Sequence, residues 1–576
     1  MVRLFRQLSW FLKEHKKSYL IAVVLLIVTG FIDLTPPWLI GKVIDGLRSG
    51  SMDRTTLMQY VIGLTVISIT SFILTYLWLA KLFGTAFLLE RTLRSQFFTH
   101  LLKLTPTFYQ RNRTGDLMAL ATNDLKAVER TAGFGVLTLV DSLNMTAITL
   151  VVMGVAIDWK LTLAALLPMP ILAYAMNKLG SQIHGRFMTA QDAFGTMNDQ
   201  VVESISGLRV IRSFVQEDID VKKFDQVTTD VFDKNMHVAK IDVLFEPIIK
   251  LLVGISYLIG LSFGTYLVFT NDITLGQLVA FNIYLGMLIW PMYAFGELIN
   301  VIQRGTASLD RLQSTMRVKP LITSTPNVDI DVPETFELSD LTFTYPETKQ
   351  PALLGVNVTV EQGKTIGIVG PTGAGKTTLL RQFLREYPVG REMLKVNGVP
   401  YEDVALETVR GWTGYVSQEH LLFSKTVRDN ILFGAGTATD EELHEAIRLA
   451  SFTTDITMLD QGLETLVGER GVTLSGGQKQ RLSIARAMLK KPKLLLLDDS
   501  LSAVDAKTES QIIDAIRTNR EQSTTLIVAH RLSAVAHADE ILVLQDGRVT
   551  ERGTHEQLMA LKGWYAEQFE RQSEET

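Results

Sequence analysis

Apolar stretches long enough to cross a bilayer occur only in the first 300 or so of the 576 residues. A hydrocarbon core of about 30 Å requires roughly 20 apolar residues in a helix. Six candidate spans are centred on residues 19–40, 66–78, 137–157, 161–175, 248–269 and 275–299. The sequence therefore predicts an α-helical membrane domain of six transmembrane helices, with both termini on one side, followed by a domain without spans.

Basic residues indicate the orientation of the membrane domain. Lys and Arg are concentrated in the long segments 81–130 and 178–240, whereas the other connections are minimal turns. Because basic loops stay in the cytoplasm, we expect the long segments and both termini there. Residues 38–105 and 171–246 contain no proline, so nothing breaks their helices. A helix of about 50 residues is roughly 75 Å long and would project far beyond the bilayer.

Two aspartates fall within the predicted spans. Asp33 lies about 15 residues into the first span, roughly 20 Å deep by helical rise. A carboxylate at that depth requires a wet cavity or a polar partner. Asp33 could contact a cationic ligand or serve as a hydrogen-bonded structural group beside Pro36 and Pro37, and we prefer the structural role. Asp141, with Asn144 nearby, allows the same two interpretations.

The composition excludes several functional classes. The chain has no cysteine, which excludes disulfides, thiol nucleophiles and cysteine-based metal sites. Its 56 basic and 61 acidic residues nearly balance, so no nucleic-acid-binding surface is indicated. A segment with Pro326, Pro333 and several Ser, Thr and Asp residues predicts a linker at 321–335. We therefore expect a transmembrane domain at 1–320 and an α/β domain at 336–576.

A glycine-rich loop stands between a predicted strand at 365–369 and a helix at Leu379. Its residues are Gly370, Pro371, Thr372, Gly373, Ala374, Gly375, Lys376, Thr377 and Thr378. In this context such a loop wraps nucleotide phosphates with its backbone amides. Lys376 would reach the β- and γ-phosphates, and the Thr377 hydroxyl would ligate Mg²⁺. The motif predicts a site for ATP and Mg²⁺.

Two further candidate phosphate contacts lie between residues 474 and 505. A strongly helical run begins with the small residues Ser475, Gly476 and Gly477, followed by Gln478. Such a helix start leaves backbone amides free to face an anion. The apolar run 494–497 predicts a buried strand, which delivers Asp498 and Asp499 at its carboxyl end. There they could hold Mg²⁺ and an attacking water.

These motifs together resemble those of the ABC transporter superfamily, exporter type. Residues 474–478 match its LSGGQ signature, 494–499 its Walker B strand and 502–505 its D-loop. The segments 108–117 and 203–214 look like the intracellular loops of ABC exporters, whose short coupling helices dock on the ATPase domains. Solvated helical hairpins are the alternative. The resemblance covers nearly the whole chain and implies a transporter driven by ATP.

The resemblance also implies roles for single residues. Tyr345 would stack on adenine, although an ordinary strand aromatic is the alternative. Gln418 would sense Mg²⁺ and water, and His530 would hydrogen-bond the γ-phosphate. Asp505 belongs to the D-loop beside the nucleotide. The segment 465–471 resembles the X-loop found in exporters.

In this family the signature of one chain closes the glycine-rich loop of another, so the resemblance implies a dimer. Members that hydrolyse ATP briskly carry Glu where this chain has Asp499, whose carboxylate is shorter by one methylene. A general base must approach within about 3.2 Å, and a misplacement near 1 Å can cost on the order of 100-fold. We therefore expect this site to bind ATP and to hydrolyse it poorly.

The pattern looks like the degenerate-site subunit of heterodimeric bacterial multidrug exporters. That resemblance implies a cell-membrane protein that exports small hydrophobic or amphipathic compounds together with a second half-transporter. Two alternatives stay open. One is a homodimeric exporter of lipids or peptides, and the other is an ATP-binding regulatory subunit with little turnover.

Overall fold

The computed structural model describes residues 2–322, 328–346, 348–468, 471, 473–502, 504–519 and 523–574. Part of the predicted linker (323–327), two residues of the predicted X-loop (469–470) and one of the D-loop (503) lie outside the described residues. The chain divides into two compact units. The first contains Met1–His100 and Gly115–Arg317, and the second contains Leu101–Thr114 and Val318–Thr576.

Residues 2–316 are almost entirely helical. Short segments of wider π-helix (Leu120–Asp124, Thr131–Gly135 and Val152–Ile157) join some of the helices. The α-helices are α1 Val2–Gln7, α2 Ser9–Glu14, α3 Lys16–Asp33, α4 Thr35–Arg48, α5 Arg54–Leu101, α6 Pro106–Arg111, α7 Thr114–Ala119, α8 Leu125–Arg130, α9 Val136–Val151, α10 Trp159–Leu166, α11 Pro168–Ser206, α12 Leu208–Ser213, α13 Glu217–Asp242, α14 Phe245–Phe269, α15 Leu275–Met287 and α16 Ile289–Met316.

Within the described residues, five helical segments are long and apolar enough to cross a membrane. They are Lys16–Arg48, Arg54–Leu101, Thr114–Ile157, Trp159–Ser206 and Glu217–Phe269. The sixth predicted span falls on α15 and the start of α16, where the described apolar run is Leu275–Pro291. The prediction of a multi-pass helical domain is confirmed, and α5 alone extends over 48 residues.

Both predicted intracellular loops contain a short helix. The first holds α6, which belongs to the second compact unit, and the second holds α12, which belongs to the first. On α6, the Tyr109 hydroxyl donates a hydrogen bond to the Leu101 carbonyl at 2.6 Å. The short helices that the resemblance implied are therefore present in both loops.

Two glycines allow α4 and α15 to approach each other closely. A Cβ atom on Gly276 would lie 1.9 Å from the Gly41 carbonyl oxygen, and one on Gly41 would lie 2.7 Å from the Gly276 oxygen. Beside them, the Asp45 carboxylate accepts hydrogen bonds from the Thr274 hydroxyl at 2.6 Å and the Gly276 amide at 2.8 Å. Asp45 thereby fixes the start of α15 against α4.

The second unit contains two sheets. Their strands are β1 Thr335–Phe343, β2 Leu353–Glu361, β3 Thr365–Val369, β4 Leu394–Val396, β5 Val399–Pro400, β6 Thr413–Val416, β7 Leu494–Asp498, β8 Thr524–Val528, β9 Glu540–Gln545 and β10 Arg548–Gly553. The smaller sheet has the order β2-β1-β4-β5 and is antiparallel, and the larger has the order β10-β9-β3-β8-β7-β6.

Helices complete the second unit. They are α17 Lys376–Phe383, α18 Leu406–Trp412, α19 Val427–Leu432, α20 Asp440–Leu449, α21 Thr453–Met458, α22 Gly476–Leu489, α23 Ala506–Asn519, α24 His555–Leu561 and α25 Trp564–Glu574. In the larger sheet, β9, β3, β8, β7 and β6 run parallel. Strands β7 and β8 are buried throughout, as expected for parallel strands covered on both faces. The predicted α/β domain is confirmed.

We predict that Gly276→Ala lowers the thermal unfolding temperature of the purified protein, because the added methyl group would meet backbone that has no rotamer to change. Overpacking of this kind costs about 1–3 kcal/mol. Gly63→Ala is the matched control, since a Cβ on Gly63 in α5 meets nothing within 4 Å. Equal melting temperatures for the two variants in a fluorescence unfolding assay would contradict the close α4–α15 approach.

Candidate nucleotide site

The glycine-rich loop connects the buried strand β3 to α17. All three of its glycines have positive φ: Gly370 (146°), Gly373 (85°) and Gly375 (101°). A Cβ on Gly370 would lie 2.0 Å from the Leu544 carbonyl oxygen, and one on Gly375 would lie 2.5 Å from that of Ala352. The loop can therefore follow this path only with glycine at these two positions.

The start of α17 is arranged to receive an anion. Its N-cap residue is Gly375, which supplies no side-chain cap, so the amides of the first turn have no acceptor within the helix. The Lys376 ammonium group donates hydrogen bonds to the carbonyls of Gly370 at 2.7 Å and Pro371 at 2.9 Å. Free amides, the positive end of the helix dipole and a lysine together fit the phosphates of a nucleotide.

Burial and nearby charges act on Lys376 in opposite directions. Burial lowers the pKa of its ammonium group, while the negative charges of Asp499 and Asp498 raise it. The net effect is a pKa below the usual value. Because the lysine lies close to both carboxylates, the loop and the end of β7 form one site.

Two oxygen ligands suited to Mg²⁺ meet at the end of β7. The Thr377 hydroxyl donates a hydrogen bond to Asp498 Oδ1 at 2.9 Å, and the Tyr415 hydroxyl donates to Oδ2 at 3.4 Å. Asp498 is only 1% exposed, and burial raises the pKa of its carboxyl group despite these donors. Mg²⁺ is commonly held by one or two protein oxygens and the phosphates of its nucleotide, which this pair fits.

Asp499 follows directly and has an unusual backbone conformation. Its φ is 47°, in the left-handed region that few residues other than glycine and Asn or Asp adopt. Its amide donates a hydrogen bond to the Val528 carbonyl at 2.9 Å, and its own carbonyl accepts one from the Ser502 hydroxyl at 2.9 Å. The position of this residue is therefore set by β8 and by the D-loop that follows.

Tyr345 lies beside the glycine-rich loop. Its hydroxyl is hydrogen-bonded to the Thr378 hydroxyl at 2.9 Å, and its ring meets those of Phe343 and Tyr387 edge to face at 5.0 Å and 5.3 Å. The Gln110 amide of α6 donates a hydrogen bond to the Tyr387 hydroxyl at 3.3 Å. The aromatic cluster thus connects the first intracellular loop to the start of α17, a link that the sequence did not reveal.

The signature motif forms the first turn of α22. The Ser475 hydroxyl accepts a hydrogen bond from the Gln478 amide at 3.3 Å, and the Gln478 side chain accepts one from the Ser475 amide at 2.9 Å. This capping box satisfies two of the amides at the helix start. Ser475 and Gly476 are exposed, so the remaining amides face outward from this chain.

The other residues of the predicted site lie at loop ends. Gln418 follows β6 and is exposed, and His530 follows β8 and is exposed. The Asp505 carboxylate accepts hydrogen bonds from the Thr508 amide at 3.0 Å and the Thr508 hydroxyl at 2.7 Å, which lower its pKa. Asp505 therefore caps α23. Among the described residues, no group of three His, Asp or Glu side chains could hold a metal unaided.

Two positioning contacts escaped the sequence analysis. Arg486 of α22 donates a hydrogen bond to the Leu421 carbonyl at 2.9 Å and lies near the rings of Phe423 and Phe433, at 5.6 Å and 5.8 Å from their centroids. Burial lowers the pKa of Arg486 to about 10. Because Leu421 follows Gln418 closely, this arginine connects the segment after Gln418 to the signature helix α22.

The second positioning contact comes from α25. The Gln572 side chain donates a hydrogen bond to the His530 carbonyl at 3.0 Å and accepts one from the Leu532 amide at 2.9 Å. It holds the backbone on both sides of Arg531. Neither contact has a sequence signal, because Arg and Gln are common on helix surfaces.

The geometry defines a class of protein: a P-loop ATPase carried on the same chain as a helical membrane domain. The chain belongs to the ABC transporter family. The family model for the ABC transporter transmembrane region matches residues 19–292, and the model for the ABC transporter matches residues 353–502. The ATPase unit is cytoplasmic. The membrane domain and the ATPase unit have the fold of an ABC exporter.

Relatives match over the full length. The probable multidrug resistance ABC transporter ATP-binding/permease protein YheI of Bacillus subtilis (strain 168) is 52% identical over 99% of this chain and 98% of its own. The multidrug resistance-like ATP-binding protein MdlA of Escherichia coli (strain K12) is 41% identical over 99% and 96%. The solved structure of a bacterial Atm1-family ABC exporter with ATP bound has a TM-score of 0.80 at 25% identity, covering 96% of this chain and 99% of that one.

We predict that Asp498→Asn reduces Mg²⁺-dependent ATP hydrolysis by at least about 100-fold. Asp498 is the expected ligand of Mg²⁺, and a bound metal ion would supply several kcal/mol of charge stabilisation. The protein itself should stay folded, since the change removes a buried charge. Asp460→Asn, at an exposed position, is the matched control. The upward shift in melting temperature on adding ATP should depend on Mg²⁺ in the control only. A Mg²⁺-dependent shift in Asp498→Asn would contradict the assignment.

Proposed function

We propose that this chain is one half of a dimeric exporter that moves small hydrophobic or amphipathic compounds out of the cell, as multidrug exporters do. The ATPase unit and the membrane domain belong to one chain, and the printed names of the relatives YheI and MdlA refer to multidrug resistance. The observation that carries the proposal is the contact between Thr377 and Asp498, at the point where the glycine-rich loop meets β7. This pair would provide two of the oxygen ligands for a nucleotide-bound metal.

In this proposal, the amides of residues 373–378 and Lys376 bind the phosphates of ATP. Thr377 and Asp498 hold Mg²⁺, which would supply charge stabilisation as the γ-phosphate leaves. Tyr345 is placed near Thr378 and could receive the adenine ring. Gln418 and His530 would contact water or the γ-phosphate from their exposed loop ends.

The exposed signature supports a dimer. Ser475 and Gly476 are exposed in this chain. Phosphates at the glycine-rich loop would be contacted by Lys376 and by the start of α17 of the same chain. A second ATPase domain would bring its signature to this loop and receive this chain's signature in exchange. Each nucleotide site would then contain residues from both chains.

Asp499 supports an unequal pair of sites. Hydrogen bonds with Val528 and Ser502 fix its backbone. The backbone therefore cannot move toward the attacking water to compensate for the shorter side chain. We propose that this site binds ATP and turns it over slowly. A partner with Glu at the matching position would provide the fast site, which this chain's intact signature would complete.

We predict that Asp499→Glu raises ATP turnover, by up to about 100-fold if side-chain reach is the limit. The added methylene brings the carboxylate nearer to the attacking water. Asp460→Glu, the same change at an exposed position, is the control. Turnover is measured as phosphate release from the purified complex at saturating ATP. An unchanged rate would show that reach does not limit this site.

The symmetry of the dimer is tested with the chain alone and with a candidate partner. We expect the chain alone to be nearly inactive, because both sites of a homodimer would end in Asp499. The pair should be active, and a Glu→Gln change after the partner's Walker B aspartate should abolish that activity. Brisk turnover by the chain alone that is lost in Lys376→Ala would instead favour a homodimeric exporter. Nucleotide trapping without transport would favour a regulatory subunit.

The link through Gln110 predicts a coupling defect. Gln110→Ala removes the hydrogen bond to Tyr387, and a net hydrogen bond contributes about 0.5–1.5 kcal/mol. We expect stimulation of ATPase activity by a transported compound to fall roughly two- to tenfold, with basal activity unchanged. Gln226→Ala, the same change at an exposed position of α13, is the control. Equal stimulation in both variants would exclude a coupling role for this bond.

A further inference from the structure

A cavity of about 340 Å³ lies among the membrane helices of the first unit. This volume falls in the range of pockets that hold drug-sized molecules, roughly 300–1,000 Å³. Its lining combines two carboxylates, two indoles and two flexible thioethers. These groups belong to Asp33, Asp141, Trp78, Trp290, Met145 and Met287.

The two carboxylates face the same space from different helices. Asp33 ends α3, and its carboxylate accepts one hydrogen bond from the Ser71 hydroxyl at 2.6 Å. Asp141 lies in α9 and takes part in no hydrogen bond or ion pair with any described residue. Two negative charges in one cavity repel each other, so the unliganded arrangement is electrostatically unfavourable. A hydroxyl donor on one of them does not remove that cost.

A second, independent group is also left without a partner. Trp78 is 9% exposed, lines the cavity, and its indole N–H has no acceptor among the described residues. One helical turn after Asp141 on α9, the buried Asn144 amide nitrogen likewise has no acceptor among the described residues. Buried polar groups in native proteins nearly always have partners, so a group that lacks one requires an explanation, such as a bound ligand.

The chemistry of the lining selects the charge of that ligand. Indole faces attract cations and repel anions, and two carboxylates at membrane depth add the same preference. Methionines adapt to irregular apolar shapes. An anion would meet two negative charges, and a neutral lipophile would leave both of them uncompensated.

We propose that this cavity binds lipophilic organic cations, with Asp141 and Asp33 compensating the positive charge and Trp78 and Trp290 enclosing the apolar groups. This inference rests on the proposed export function and names the class of compound exported. The sequence analysis preferred a structural role for Asp33. The hydrogen bond from Ser71 agrees with that structural role. The cavity that Asp33 shares with Asp141 adds a second role, which is to compensate the charge of a bound cation.

The test uses two probes of nearly equal shape and opposite charge, tetraphenylphosphonium and tetraphenylborate. Binding to the full-length protein in lipid nanodiscs, with its partner subunit where one is required, is measured by equilibrium dialysis. We expect tetraphenylphosphonium to bind the unaltered protein at least about tenfold more tightly than it binds the Asp141→Asn variant. Tetraphenylborate should bind that variant more tightly than it binds the unaltered protein. Asp33→Asn should act in the same direction, because the amide can still accept the bond from Ser71.

The controls separate charge from folding. Asp141→Glu keeps the charge and should retain cation binding, and Glu246→Gln removes an exposed carboxylate that pairs with Lys250 outside the cavity. ATP-dependent uptake of tetraphenylphosphonium and of the neutral dye Nile red into inverted proteoliposomes is measured in parallel. Unchanged cation binding in both Asp→Asn variants, with Nile red still transported, would overturn this inference and leave the export function intact. Transport of neither probe by the unaltered protein would overturn both.

Discussion

The hydrogen bond between Thr377 and Asp498 depends on the order of the parallel strands. Strands β3 and β7 flank β8, so the residues that follow them leave the same edge of the sheet at neighbouring positions. The phosphate loop and the acidic pair meet only in this arrangement. The Asp499 amide donates a hydrogen bond to the Val528 carbonyl of β8, so the middle strand also fixes the residue that we propose sets the rate of hydrolysis.

Local motifs were predictable because the residues that form each motif are consecutive in the sequence. The glycine-rich loop, the strand before Asp498 and the helix after Ser475 all form where the pattern placed them. The contacts that position these motifs were not predictable, because their partners are distant in the sequence. Arg486 and Leu421 are 65 residues apart, Gln572 and His530 are 42 apart, and Gln110 and Tyr387 are 277 apart. No periodicity reports such pairs.

In the membrane domain, too, the properties of single helices were predictable from the sequence and the contacts between helices were not. Hydropathy predicted the spans, because burial in lipid is a property of each helix alone. Helix packing depends on pairs of positions, and the Gly41–Gly276 approach has no counterpart in the hydropathy pattern. Hydropathy also did not indicate that α6 would cluster with the ATPase unit instead of the membrane helices. Within that grouping, this six-residue helix buries Thr107 and Phe108, and the Gln110 amide donates a hydrogen bond to the hydroxyl of the buried Tyr387.

The two helix starts that could bind phosphate differ in a way that bears on assembly. Helix α17 begins at a glycine without a side-chain cap, so its first-turn amides gain hydrogen bonds only from an external acceptor. Helix α22 begins with a complete capping box, so two of the amides at its start already have hydrogen-bond acceptors within the chain. A single chain should therefore bind nucleotide mainly through α17. In the proposed dimer, the free-energy gain from α22 would be smaller and would be obtained only when a second chain brings phosphate to its exposed face. Dimer closure would then be coupled to occupancy of the α17 site.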